Sequence, residues 1–324
     1  MPDAATLDRI REAVAAHDHF LLVAHKDADA DSLGSLLAFG DHLRRLGKQV
    51  YPWVPDPLPR ALSYLPGYEE VNLTPAPAEA VAMAFDAGSP DRFGNLRPRI
   101  EAAPLTVVFD HHASNEGFGD IALVDRAAAA TGVIVLRALQ GWGAEVSPEA
   151  ATNLYAAIFT DTGGFRHDNT DAEVLQMGAD LARMGADPAW IALKSYKSRP
   201  QSTLHLQALA SAAARYELEG RLVWSAVTLE MLAQSGAKME ETEGIIDVLQ
   251  SLDTMLCAVL FKQVSAELTK VSVRTRGTIG AHQLVAPLGG GGHLRAAGAE
   301  VAAPLEGVEE TVLAAARRLI QAQA

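Results

Sequence analysis

Between residues 20 and 125 the chain alternates short, continuous apolar runs with segments of helical spacing. Several of the runs stop at an acid or a histidine. Phe20-Leu-Leu-Val-Ala24 is followed by His25, Ala80–Phe85 by Asp86, and Leu105–Phe109 by Asp110-His111-His112. Runs that are apolar throughout, without alternation, are what a strand buried on both faces requires. Strands of that kind separated by helices predict a doubly wound parallel α/β sheet. Such sheets place ligands outside the carboxyl ends of their strands. The acid-bearing segments His25–Ser35, Asp86, Asp110–His112 and Thr160–Gly163 are each expected at the end of a strand-like apolar run, gathered at one edge.

The remaining elements of this half follow from spacing. Residues 4–17 carry Leu7, Ile10 and Val14 on one helical face. Ser32 to Leu46 is helical and stops at Gly47. Gln49–Val54 reads as a strand, with Pro52 placing it at an edge or a break. The proline-rich stretch 52–59 is a loop, and Ile121–Val124 is a further short strand. Helices are predicted over about 130–140, 148–160, 171–184 and 188–196.

Near Ser198-Arg-Pro-Gln201 the pattern changes. Arg221–Val227, Met255–Phe261 and Glu267–Arg274 look like antiparallel strands, with helices near 240–250, after Gly280 and at 308–322. A second, smaller α+β domain is therefore expected. The division is a first domain over 1–185, a linker over 186–204 and a second domain over 205–324.

Composition narrows the function. A content of 49% hydrophobic and 21% charged residues fits a globular protein. The net charge of −13, with no basic stripe, argues against binding long duplexes or tracking long single strands. A phosphate-bearing partner should be small. The single Cys257 excludes an intrachain disulfide framework and reads as a buried small hydrophobe. The first residues show neither a basic nor an apolar targeting region, and no stretch approaches the roughly 20 apolar residues of a membrane span. The expectation is a cytoplasmic protein without membrane contact, for which a homodimer is compatible.

The polar clusters carry the chemistry. In His25-x3-Asp29-x-Asp31, His25 and Asp29 can reach one cation while Asp31 turns toward a second. Imidazole with carboxylate suits manganese, iron, cobalt or zinc better than calcium. Alternatively, Asp31 caps the helix starting at Ser32. Asp86 alone would be an ordinary turn acid, and Asp161 an acid in the loop after the helical run 154–159. The adjacent His111 and His112 point different ways, so one can bind metal while the other addresses substrate. Taken together, these carboxylates and imidazoles would repel one another without cations. Two divalent metals would resolve that and support phosphoryl chemistry. Later, Gly289-Gly290-Gly291-Gly292-His293 offers an anion-binding nest, read as backed by a helix N-terminus, with a flexible linker as the alternative. Arg274 could bind phosphate oxygens in bidentate fashion, while Arg276 reads as a surface residue.

At these residues the chain resembles the DHH/DHHA1 phosphoesterase superfamily, and within it the nano-RNase/pAp phosphatase group. The resemblance spans nearly the whole chain, including Asn115, Phe165, Asn169-Thr170 and Val271-Ser-Val-Arg274. Gly-Gly-Gly-His293-x2-Ala-Ala-Gly298 completes it. Ala87 departs from the small polar residue that often follows the family's Asp86 equivalent. The resemblance implies His25, Asp29 and Asp86 on one metal, and Asp31, Asp86, His111 and Asp161 on the other, with Asp86 bridging. It implies His112, Arg274, Gly290, Gly291, Gly292 and His293 on substrate, and Asp110 as the group that orients the histidines. It also implies two manganese ions and an active site between the two domains.

The activity so implied is hydrolysis of short RNA or DNA oligonucleotides of two to five nucleotides to mononucleotides, and of 3′-phosphoadenosine 5′-phosphate (pAp) to AMP. A phosphodiesterase for cyclic di-AMP or linear dinucleotides is the neighbouring alternative. A non-catalytic nucleotide sensor is the alternative of another class, disfavoured because every expected ligand is present. The sequence does not choose between RNA and DNA.

Overall fold

The computed structural model describes residues 3–242, 244–292 and 294–322. The chain divides into two compact units, Met1–Ser198 and Arg199–Ala324.

The first unit runs α1 (Ala4–Ala16), β1 (His19–Ala24), α2 (Ala30–Arg45), β2 (Gln49–Trp53), β3 (Val81–Phe85), α3 (Arg97–Glu101), β4 (Thr106–Asp110) and β5 (Ile121–Val124). It continues with α4 (Thr131–Gly141), α5 (Pro148–Asp161), α6 (Ala172–Arg183) and α7 (Pro188–Ala192). Five strands form a parallel sheet in the order β2-β1-β3-β4-β5. Phe20, Leu22 and Ala24 of β1 enter one core while Leu21 and Val23 enter the core on the opposite face. That is why the strand had to be apolar at every position. Pro52 lies on β2 at the sheet edge, where a missing N–H is tolerated.

The strand order reverses between β1 and β3, the switch point where open parallel sheets leave a crevice. His25 follows β1 and Asp86 follows β3. Beneath them Phe85 and Phe109 stack with ring centroids 5.0 Å apart, and Phe39 of α2 lies 5.0 Å from Phe109. These buried rings hold the last residues of β3 and β4, and so the polar residues after them, against α2. Helix α2 approaches α5 closely at Gly34, where a Cβ would sit 2.6 Å from the Asn153 carbonyl oxygen.

The second unit contains α8 (Gln201–Ala212), β6 (Arg215–Glu217), β7 (Leu222–Val227), α9 (Leu229–Ser235), α10 (Ile245–Leu249), β8 (Cys257–Ser265) and β9 (Leu268–Thr275). It ends with α11 (His282–Val285), β10 (Gly291–Gly292), β11 (Ala296–Val301) and α12 (Leu305–Gln321). Its sheet order is β10-β11-β9-β8-β7-β6, and each face carries a core of its own.

Two expectations need correction here. Strands β7 and β8 pair in parallel, not antiparallel, because the helices between them form a crossover that returns the chain in the same direction. The glycine run does not front a helix. Gly291 and Gly292 form β10, which pairs antiparallel with β11, a strand the sequence reading missed because its core is Ala-Ala-Gly-Ala. Glycine at 290 and 292 answers to backbone crowding. A Cβ would lie 2.4 Å from the Gly298 oxygen and 2.5 Å from the Ala296 oxygen, respectively. Cys257 is buried in β8, and burial pushes its thiol up to about 12, so it is chemically inert in the folded chain. Among the described residues, no helix is long and apolar enough to cross a membrane.

Candidate metal centre

The first unit brings the six expected ligands, together with His112, into three overlapping donor groups: His25 with Asp29 and Asp86, Asp31 with His111 and Asp161, and Asp86 with His111 and His112. Asp86 lies at the centre. Its two carboxylate oxygens are 3.4 Å from His25 Nε2 and 3.4 Å from His111 Nε2. The residue adopts φ 60°, a left-handed conformation uncommon outside glycine and found at functional turns. That turn directs the carboxylate back across the ends of the neighbouring strands.

Five of these six candidate ligands are held by a further group. Asp29, not Asp31, caps α2: its carboxylate accepts from Ser32 N at 2.9 Å while Ser32 Oγ accepts from Asp29 N. Asp31 falls in the first turn of α2, buried, and accepts from Thr131 N at 2.7 Å and Gly132 N at 2.8 Å. The candidate ligand thus serves as the anion at the N-terminus of α4. Thr131 Oγ1 donates to Asp86 at 2.9 Å. His111 Nδ1 lies 3.1 Å from the Ala128 carbonyl and His25 Nδ1 lies 2.7 Å from that of Lys26. An Nδ1–H donated to a carbonyl leaves Nε2 as a ligand atom. Asp161 is the last residue of α5, so this acid projects from a helix end rather than a strand end.

His112 and Asp110 form a separate arrangement. His112 Nδ1 lies 2.7 Å from Asp110, whose other oxygen accepts from Asn115 Nδ2 at 2.7 Å. Asp110 belongs to none of the donor groups found among the described residues, in keeping with a role in orienting His112.

The ionisation pattern tests whether these residues suit a cation. Burial, with the charges of Asp86 and Asp161, holds Asp31 well above the usual carboxylate range. Burial raises Asp161 to about 6, against the pull of His111. Burial opposes the ionised form of Asp86 as well, but hydrogen bonds from His111 and His25 outweigh it and hold Asp86 well below the usual range. His111 is held well above its ordinary value: burial lowers it, and Asp86 and Asp161 more than reverse that. One carboxylate ionises readily while its neighbours hold their protons to higher pH than free carboxylates do, as expected of acids that need more positive charge than the protein supplies. Oxygen and imidazole donors in this combination fit a divalent transition metal.

Sequence reasoning missed Thr131, the amides of α4 and Arg92, whose Nη2 lies 3.0 Å from His25 Nδ1. Thr131-Gly132 after an alanine run is a visible helix start, but nothing local reveals partners 45 and 101 residues away.

Residues 19–158 match the DHH family N-terminal domain and residues 222–322 match the DHHA1 domain. The chain is 33% identical over 299 residues to a protein of Thermus thermophilus named bifunctional oligoribonuclease and PAP phosphatase NrnA, covering 91% of this chain and 88% of that one. The chain belongs to the DHH phosphoesterase family. It is a hydrolase of that family's oligoribonuclease and PAP phosphatase group. A Bacillus subtilis protein of the same name is 22% identical, covering 89% of this chain and 91% of its own. In fold, the chain is similar to an exopolyphosphatase-related protein from Bacteroides fragilis. The TM-score is 0.89 at 23% identity, with 99% of each chain covered.

In the second unit, Arg274 lies on β9 with its side chain half-buried, Nη1 donating to the Val273 carbonyl at 3.1 Å. Arg276, just past the strand, is exposed and donates to the carbonyls of Gln250 and Leu252, a structural strap consistent with its surface reading. Gly290, Gly291 and Gly292 lead into and form β10, and His293 lies outside the described residues.

Proposed function

We propose that this phosphoesterase uses two divalent cations, manganese in preference, to hydrolyse very short oligonucleotides to mononucleotides and pAp to AMP. The observation that carries the reading is Asp86 placed 3.4 Å from each of two imidazole nitrogens, His25 on one side and His111 on the other. Each imidazole has its own carboxylates beside it, Asp29 in one group and Asp31 with Asp161 in the other. The naming of the Thermus and Bacillus relatives as oligoribonuclease and PAP phosphatase supports the substrate class.

Cations held by these residues would supply an activated water and offset charge on phosphoryl oxygens. The rest falls to the chain. Asp86, fixed by Thr131, would bridge the two halves. Asp110, steadied by Asn115, holds His112 through Nδ1, so Nε2 is the atom through which His112 would address a phosphoryl or leaving-group oxygen. Burial disfavours the charged His112 ring, but Asp110 outweighs it and raises its pKa, which suits a proton donor. Arg274, the Gly290–Gly292 run and His293 of the second unit are the proposed substrate-gripping residues. The net charge of −13 favours a short substrate with few phosphate contacts.

One comparison tests the reading: kcat/KM with manganese on pAp, pApA, pGpG, oligonucleotides of increasing length, cyclic di-AMP and pyrophosphate. Activity concentrated on pAp and the shortest linear substrates is expected. Preference for cyclic di-AMP would transfer the protein to second-messenger turnover, and processive digestion of long strands would refute the short-substrate reading.

A further inference from the structure

At His25 the ring nitrogen remote from the carboxylates has two neighbours with opposite demands. Nδ1 lies 2.7 Å from the Lys26 carbonyl and 3.0 Å from Arg92 Nη2. A carbonyl requires a proton on Nδ1. A guanidinium, which can only donate, requires a lone pair there. The first tautomer leaves Nε2 ready to take a cation. The second puts the proton on Nε2, the atom that faces Asp86 at 3.4 Å and Asp29 at 3.8 Å. Arg92 Nη2 also donates to the Lys26 carbonyl at 3.1 Å, so both tautomers of His25 stay open to it; in either one its guanidinium charge, beside the ring, repels a cation held at Nε2 in a poorly screened setting. At His111 the Nδ1 neighbour is the Ala128 carbonyl at 3.1 Å, which favours the ligand-ready tautomer.

The carboxylates differ in the same sense. Asp29 has a side chain 49% exposed and already caps α2. Opposite it, His111 has two carboxylates near Nε2 besides Asp86: Asp31, with a side chain 1% exposed, at 3.7 Å, and Asp161 at 3.6 Å. More anionic donors, more deeply buried, make for tighter cation binding.

We propose that Arg92 makes the His25 half of the centre the weaker, exchangeable half, filled last and emptied first. The proposal rests on the two-cation reading above. Activity would then follow the free cation concentration through one half of the site while the other stays loaded. Arg92 is well placed for such a role, because its main chain is pinned independently of its side chain: Lys26 N donates to the Arg92 carbonyl at 2.7 Å. Substituting the side chain leaves that bond in place.

The test is manganese titration of the metal-free full chain by calorimetry, for wild type, Arg92→Leu and Asp29→Asn. Wild type should show two classes of site. Asp29→Asn should remove the weaker class and spare the tighter. Arg92→Leu should tighten the weaker class by roughly ten- to a hundred-fold, the range over which outer-shell partners move metal affinity, and leave the tighter class where it was. Arg92→Met serves if the leucine variant folds poorly. A weaker class that is unchanged, or weaker still, in both Arg92 variants would overturn the proposal and make Arg92 a support for His25. Loss of the tighter class in Asp29→Asn would invert the assignment. A wild-type stoichiometry of one manganese would instead refute the two-cation reading itself, so the two failures are read from different quantities.

Discussion

Thr131→Val is the most discriminating perturbation of the centre. Valine has nearly the shape of threonine, so the substitution removes a hydroxyl without opening a cavity. The main-chain N–H of residue 131 continues to serve Asp31. What is lost is the 2.9 Å hydrogen bond to the Asp86 carboxylate. In the cation-free site Asp86 has other help, since His25 and His111 approach it at 3.4 Å each. Once those imidazoles turn their Nε2 lone pairs to cations they can no longer donate to Asp86. The Thr131 hydroxyl then carries more of the burden, so its loss falls mainly on the loaded state. A hydrogen bond to a charged group contributes about 1.5–3 kcal/mol. At about 1.36 kcal/mol per decade, manganese affinity should weaken by roughly ten- to a hundred-fold or somewhat more. Calorimetric titration reads this directly, and the manganese concentration giving half-maximal hydrolysis of pAp should rise in parallel. Thr131→Ser, which keeps the hydroxyl, should restore both. Wild-type affinity in a folded Thr131→Val protein would refute the argument that Asp86 depends on this donor.

Three further outcomes are expected. Asp86→Ala should cost about 10³-fold or more in kcat, because on the proposed two-cation reading Asp86 serves both halves and metal Lewis acidity supplies several kcal/mol; near wild-type turnover in the folded variant would refute a bridging Asp86. Manganese affinity should fall as pH drops through about 6. The cation-free Asp161 titrates at about 6 and is protonated below it, so binding must expel that proton; the raised Asp31, His25 and His111 also hold protons that binding must expel, so the slope should continue above that value, and affinity that is flat in titrations from pH 6 to 8 would refute this. Gly34→Ala places a Cβ 2.6 Å from the Asn153 carbonyl oxygen between α2 and α5; overpacking of that kind costs about 1–3 kcal/mol, read as a lower melting temperature without loss of secondary structure.

Much of the first unit was legible in the sequence because its signals are local. A run such as Phe20–Ala24 is apolar at every position because the strand is covered on both faces, and α2 ends at Arg45, two residues before the stop expected at Gly47. The acids and histidines of the centre were visible for the same reason: each follows the apolar run or helix that delivers it. The chemistry of the residue types, imidazole beside carboxylate, already pointed to divalent metal.

Tertiary structure alone decided how these pieces meet. That Asp29 rather than Asp31 caps α2 depends on where the helix begins, and hence on Asp31 being drawn into the N-terminus of α4, 100 residues away. Thr131 and Arg92 carried no signal, since a hydroxyl or guanidinium reveals its partner only when the fold brings it near. In the second unit β7 and β8 proved parallel and the Ala296–Val301 segment proved a strand. Strand direction and pairing are set by crossovers and by neighbours distant in the chain, and an alanine-rich strand has no side-chain pattern to announce it. Residue identity determines which chemistry the chain can perform; only non-local pairing determines which atoms face one another to perform it.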